Sequence, residues 1–251
     1  MSTELAFRSS AGTGRTVVFL HGNSSSSSTW QGLLDGPFGQ RFHCLALDLP
    51  GHGGSRPADD YSVPAHASAL AEFLQKNEDV VVVGWSLGGH ITLHAANALT
   101  RAAGFVIFGT PPIETAASLA EGFLPNPAFN TGFQGEISPE EALAYAKSML
   151  APDSAVSPDV LVPDILATDP GARTGLGASV AEGRFVDEVE VIANLSQPLL
   201  VLHGAEDQLV SLDYLRKLDL PVEVFDGIGH AIQLEAPDLL ARRLTEFVEG
   251  L

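Results

Sequence analysis

Residues Val80 to His90 read VVVVGWSLGGH, four valines running into a turn that holds one serine between glycines, with the start of a helical stretch behind it. Two readings compete. In the first, Gly84, Gly88 and Gly89 only permit a tight strand-to-helix turn, through backbone conformations or close packing denied to larger residues. In the second, the Gly-x-Ser-x-Gly pattern holds Ser86 in a strained turn, so that its Oγ projects from the end of a sheet. A chain of this composition yields about 0.2 such pentapeptides by chance, so the pattern needs support from its surroundings.

Working outward, apolar runs of strand length recur at 15–21 (RTVVFLH), 42–48 (FHCLALD), 80–85 (VVVVGW), 104–109 (GFVIFG), 198–203 (PLLVLH) and 221–226 (PVEVFD), and TELAFRS near the amino terminus offers an earlier short one. Segments of helical length, including 64–76, 87–100 and 236–249, lie between most of them. Strands alternating with helices predict an α/β fold with a mostly parallel central sheet covered on both faces, in which strands become nearly continuous apolar runs. From Pro111 to about Asn194 the alternation stops, and a Pro-, Ala- and acid-rich stretch follows with helices expected near 139–150, 158–168 and 185–193. That is too long for a plain loop. The expected organisation is a core of residues 1–112 and 195–251, with a helical lid inserted at 113–194; a second small domain or a linker is the alternative.

The 251 residues suffice for one large domain with a sizeable core. A formal net charge of −18 argues against partners that are themselves polyanions, such as nucleic acid or an anionic membrane surface. The expected ligand is small and neutral or cationic. The one cysteine, Cys44, sits in FHCLAL and is expected to pack as a small apolar residue; no intrachain disulfide is possible. MSTELAFRSS has no apolar segment of leader length, and no run reaches the ~18 apolar residues of a membrane span, so the reading is cytoplasmic.

Nucleophilic serine chemistry needs a base, an acid that orients it, and donors for the developing oxyanion. Each has a candidate at a strand end, where an open parallel sheet places its ligand crevice. Asp207 follows PLLVLH in GAEDQLV, and His230 follows PVEVFD in GIGHAIQ. The order is Ser86, Asp207, His230, with Glu206 as the alternative acid. The backbone N–H of Leu87, next after the serine, is one oxyanion donor; Asn23 in HGNSSSSS supplies the other, through its backbone N–H or its side-chain amide. Ser24 to Ser28 are assigned only the shaping of that loop. Asp48 and His52, in DLPGHG, are read as architectural. Trp85 and Trp30 are candidates for lining the pocket or for the core. His90 and His94, at i and i+4, have a spacing that can bind zinc, but no HExxH or HxHxDH pattern accompanies them, and no metal or other cofactor is expected.

The motifs HGNSS, DLPGHG, GWSLGGH, DQLV and GIGH together resemble the α/β-hydrolase superfamily, whose serine, acid, histidine order is the one seen here. With GTPP at 109–112 and the segment EALAYA, the chain is similar more narrowly to the metal-independent N-acyl-homoserine lactonases. That resemblance implies a lid tyrosine facing the lactone, and Tyr145 is the matching position; packing of the lid is the other reading. It also implies a serine hydrolase that opens the lactone ring without a cofactor. A broad carboxylesterase, a C–C bond hydrolase and a triad-retaining receptor are the rivals. The superfamily opens with a hairpin before the strand that matches RTVVFLH; only fourteen residues precede that strand here, so the hairpin's first strand is expected to be missing.

Overall fold

A computed structural model of the chain describes residues 4–251. Met1 to Thr3, which begin the stretch read above for a leader and an early strand, lie outside them. One seven-stranded sheet has the order β1-β3-β2-β4-β5-β6-β7. Its strands are β1 (Phe7–Ser9), β2 (Gly14–Leu20), β3 (Phe42–Leu47), β4 (Val81–Trp85), β5 (Gly104–Phe108), β6 (Leu199–Gly204) and β7 (Val222–Phe225). β1 pairs antiparallel with β3, and the other pairings are parallel. The run TELAFRS is thus reduced to three exposed residues at an edge, the only strand ahead of β2 among the described residues.

The helices before the fifth strand are α1 (Gln31–Asp35), α2 (Pro37–Arg41), α3 (Val63–Phe73) and α4 (Leu87–Ala95). Between β5 and β6 come α5 (Ala116–Gly122), α6 (Pro139–Ser148), α7 (Val162–Ala167), α8 (Pro170–Ala181) and α9 (Glu188–Ala193); α10 (Leu212–Lys217), α11 (Ile232–Glu235) and α12 (Pro237–Glu249) follow.

Strand alternation divides the core. Val17 and Phe19 of β2, with Val81, Val83 and Trp85 of β4, point to the face packed by Leu33 and Leu34 of α1, Phe38 of α2, and Leu240 and Leu244 of α12. Val18, Leu20 and Val82 point to the opposite face, against Leu70 of α3 and Ile91 of α4. Each such buried side chain contributes about 1.5–3 kcal/mol of transfer free energy. In α12, which starts at Pro237, Leu240, Leu244 and Val248 recur every fourth residue and form one buried stripe, flanked by the half-buried Ala241 and Phe247. Cys44 is fully buried, and burial pushes its thiol up to about 11.

Pairing register fixes where the loops emerge. Leu20 lies opposite Gly84, Gly84 opposite Ile107, Ile107 opposite Val201 and Val201 opposite Val222. The loops carrying Asn23, Ser86, Gly109, Asp207 and His230 therefore all leave the carboxyl edge of the sheet.

The segment between β5 and β6 is tied to that edge by polar contacts. Asp164 of α7 accepts the hydroxyls of Ser26 and Ser28 at 2.7 Å each, and Asp169, the cap of α8, accepts the Tyr61 hydroxyl. Arg173 of α8 is 2% exposed and donates to the carbonyls of Gln134, Gly135, Ile165 and Thr168. No helix among the described residues is long and apolar enough to cross a membrane.

Candidate active site

Ser86 sits between β4 and α4 at φ 55°, ψ −118°, a conformation costly for a residue with a Cβ. Neighbouring glycines make it possible. A Cβ on Gly84 would collide with the carbonyl of Gly88, and one on Gly88 with the carbonyl of Leu20, so strand and helix can approach only because both side chains are absent. The turn is held from both ends: the Ser86 N–H donates to Phe108 O at 2.9 Å, and the Thr110 hydroxyl donates to Ser86 O at 3.0 Å.

Asp207 and His230 meet across the loops after β6 and β7. His230 Nδ1 lies 2.8 Å from Asp207 Oδ2, both side chains nearly inaccessible. Asp207 Oδ1 accepts the backbone N–H groups of Leu209 (2.8 Å) and Val210 (3.0 Å). Burial pushes the Asp207 carboxyl upward, but the attraction and hydrogen bond of His230, with the backbone donors, outweigh it and leave it below the usual range. Glu206, the alternative acid, is exposed; its side chain makes no hydrogen bond with His230, whereas Asp207 does. With Nδ1–H donated to Asp207, the imidazole has Nε2 free to take a proton.

Asn23 lies in the loop after β2, which runs against the serine: a Cβ on Gly22 would come 3.1 Å from Ser86 Cβ. The Asn23 side-chain amide donates to Gly132 O at 2.6 Å, so of the two donors expected from this residue the backbone N–H is the uncommitted one. Leu87 opens α4, and its N–H has no acceptor within the helix. Ser24 to Ser27 are buried, and the loop is held by its backbone: the Ser24 N–H donates to His52 Nε2 at 3.3 Å and the Ser27 N–H to Asp48 Oδ1 at 2.6 Å. Nδ1 of His52 bonds Pro50 O, so Nε2 is the unprotonated acceptor, and burial lowers the pKa of this ring well below its ordinary value. His52 and Asp48 thus shape the loop that carries Asn23.

A cavity of about 340 Å³ opens over these groups. Asn23, Ser86, Leu87 and His230 line it, as does Tyr145 of α6. The phenol of Tyr145 stands beside the Asn23 amide and Gly132, and burial pushes its pKa up, which keeps it a neutral hydrogen-bond donor. Ile113, Leu119, Phe123, Phe129, Phe133 and Leu176 contribute apolar wall.

Trp85 and Trp30 do not line this cavity; both are fully buried. As a pocket-lining assignment, each is corrected to the core. Gly84 faces α4, so alternation turns Trp85 to the other side of the sheet, where its Nε1–H donates to His230 O at 2.9 Å and supports the histidine loop. Trp30 packs on Phe19 and Phe108.

His90 and His94 both line the cavity, and a residue not singled out in the sequence, Glu188 of α9, stands with them. His90 Nδ1 is 2.9 Å from each carboxylate oxygen of Glu188. Burial pushes His94 down to about 4. Nothing in DEVEVIA marks Glu188 as different from its acidic neighbours, because only the packing of α9 on α4 turns it inward. No group of three or more His, Cys, Asp or Glu side chains among the described residues is arranged to hold a metal ion.

The fold has counterparts among known proteins. A family model described as the alpha/beta hydrolase family matches residues 17–243. The chain belongs to the α/β-hydrolase family. Among solved structures, this hydrolase superposes with a TM-score of 0.90 on an N-acyl homoserine lactonase, AidH, complexed with N-butanoyl homoserine, at 30% identity over 98% of this chain and 93% of the other. It is 28% identical to the 2-(acetamidomethylene)succinate hydrolase of Mesorhizobium japonicum over 95% of its own length and 90% of the relative's. To the pimeloyl-[acyl-carrier protein] methyl ester esterase of Vibrio cholerae it is 26% identical, covering 94% of this hydrolase and 95% of that enzyme.

Proposed function

We propose that the chain hydrolyses a carboxylic ester through an acyl-enzyme on Ser86, and that its substrates are N-acyl-homoserine lactones. His230 Nε2 takes the proton of Ser86 Oγ as the oxygen attacks the lactone carbonyl, while the N–H groups of Leu87 and Asn23 receive the oxyanion. One such donor is typically worth ~2.7–4 kcal/mol. Asp207 holds the imidazole in its tautomer and stabilises the imidazolium. His230 then protonates the leaving ring oxygen, and water activated by the same nitrogen releases the ring-opened acid. Residues 113–194 act as the lid over this reaction.

The observation that carries the lactone reading is Tyr145. It brings a neutral phenol beside Asn23, over the cavity that Ser86 and His230 share, and a polar ring needs such a donor where a simple acyl chain needs only apolar wall. The similarity to a lactonase holding a ring-opened homoserine supports the same reading. The apolar wall and the methyl ester esterase relative favour a broad carboxylesterase as the second reading.

Incubation with N-hexanoyl-homoserine lactone is expected to give one product, heavier by one water, that re-forms the lactone on acidification. Ser86→Ala should abolish this with the fold retained, and Tyr145→Phe should slow lactones more than p-nitrophenyl esters. Rapid aryl-ester hydrolysis with no lactone turnover would replace the lactonase reading by the esterase.

A further inference from the structure

His90 stands one helical turn beyond Ser86 on α4, in the same cavity, and has no part in the hydrolytic steps above. Its Nδ1 is fixed on Glu188, whose carboxylate is 1% exposed and also accepts the Ile113 backbone N–H at 2.8 Å. The neighbouring His94 has its Nε2 occupied, accepting the Val186 N–H at 3.4 Å and lying 3.5 Å from Glu188 Oε1. A tie between α4 and α9 accounts for Glu188 and for Nδ1. It does not account for Nε2 of His90, which has no protein partner among the described residues and belongs to a side chain in a mainly apolar cavity wall, with Phe123 packed against the ring at 6.2 Å. A polar atom there stays unsatisfied when a plain hydrocarbon chain fills the cavity.

We infer that His90, oriented by Glu188, is a specificity contact that takes a hydroxyl group on the acyl chain of the substrate. A neutral ring offers the Nε2 lone pair to the hydroxyl hydrogen, and a charged ring offers its N–H to the hydroxyl oxygen; a keto oxygen is matched only by the charged ring, and a methylene by neither. Reach defines the position. Four residues of helix rise about 6 Å, roughly the span of five bonds of an extended chain. Five bonds from the carbonyl of an acyl-homoserine lactone lies the third carbon of the acyl group, and five bonds from the carbonyl of a hexanoate ester lies its terminal carbon. The inference rests on ester hydrolysis at Ser86 and deepens that reading, but it does not require the lactone ring.

The test is a ratio of kcat/KM values, hydroxylated over plain substrate, measured on one enzyme preparation so that the folded fraction cancels. One pair is N-(3-hydroxyhexanoyl)- and N-hexanoyl-homoserine lactone; the other is p-nitrophenyl 6-hydroxyhexanoate and hexanoate. His90→Phe keeps the ring and removes Nε2, and is expected to lower the ratio by about three- to tenfold, the range for one uncharged hydrogen bond. If His90→Phe does not fold, His90→Asn keeps a polar partner for Glu188 without the reach, and should lower it likewise. An unchanged ratio in a folded variant on every series the enzyme hydrolyses overturns the inference. Turnover of the aryl esters alone defeats the lactonase reading while the second pair still decides His90, and turnover of neither series overturns both.

Discussion

Gly109, just past β5 at φ +59°, lies under the His230 ring so closely that a Cβ there would come 2.7 Å from Cε1 and 2.9 Å from Nδ1. Backbone conformation and contact therefore both demand glycine. Gly109→Ala is expected to displace the imidazole by a few tenths of an ångström or more, and to reduce kcat/KM by about 10²-fold, since misplacement on the scale of 1 Å carries a penalty of that order. Steady-state kinetics beside a thermal melt would check this; unchanged turnover in a folded variant would mean that the ring is free to shift without consequence. Gly109 belongs to the GTPP stretch that helped to mark the family resemblance, yet its contact with His230 was not legible, because the two are 121 positions apart and only the packed sheet brings them together. Ser86, Asp207 and His230 were legible as candidates for the opposite reason: each lies within four residues of the end of an apolar run, so the strand ends that position them are local features. Trp85 is intermediate. Its place beside the serine was evident, but the face it takes depends on alternation within β4 and on which face α4 occupies.

α6 carries Tyr145 and is clamped at its far end to both loops that hold Asp207 and His230. Gln208 donates to Leu150 O at 2.7 Å, the Ala231 N–H donates to Met149 O at 2.9 Å, and the Glu235 carboxylate accepts the N–H groups of Ala151 and Gly229. Tyr145 is thereby positioned with respect to His230 by the backbone and not by its own contacts alone. On the other side, Arg173 gathers the 134–135 turn and α7 onto α8 through four carbonyls without a carboxylate partner in hydrogen-bond contact. Arg173→Met fills the space and leaves those carbonyls unpaired, at about 1–3 kcal/mol for each one left buried. The expected outcome is a fall in melting temperature together with faster amide exchange confined to residues 134–181; exchange unchanged there would assign the arginine no such role. The sheet was readable because buried parallel strands are apolar throughout, whereas α5 to α9 are short, capped by Ser, Thr or Asp in several cases, and held by polar contacts to distant loops. Contacts of that kind leave no periodic trace.

Several histidines are buried in neutral form across the molecule. Burial holds His66 and His94 at about 4, and pushes His21 and His52 below their ordinary value. Such groups bind protons more readily in the unfolded chain. Above about pH 6.5 neither state takes one, and stability is at its full value; as pH falls from about 6.5 towards about 4 the unfolded chain gains protons first, and the folded state loses ground. The depressed carboxyl of Asp207 acts in the same direction at lower pH, its contribution being lost only as pH falls below the ordinary carboxylate range. Urea midpoints are therefore expected to be lower at pH 5 than at pH 7.5, and His66→Leu should shrink that difference; equal midpoints at the two pH values would show that the buried rings do not set the acid limit. The contact of Asp164 with Ser26 and Ser28 bears on heredity as much as on stability. The two hydroxyls belong to the loop beside Ser86 and the carboxylate to the segment between β5 and β6, so this contact survives only while the two halves are inherited together. A recombinant that receives residues 113–194 from a relative with an apolar residue at position 164 would leave the Ser26 and Ser28 hydroxyls with only each other as side-chain partner, in the loop that carries Asn23, and exchange between such hydrolases should succeed when residues 24–28 travel with the segment.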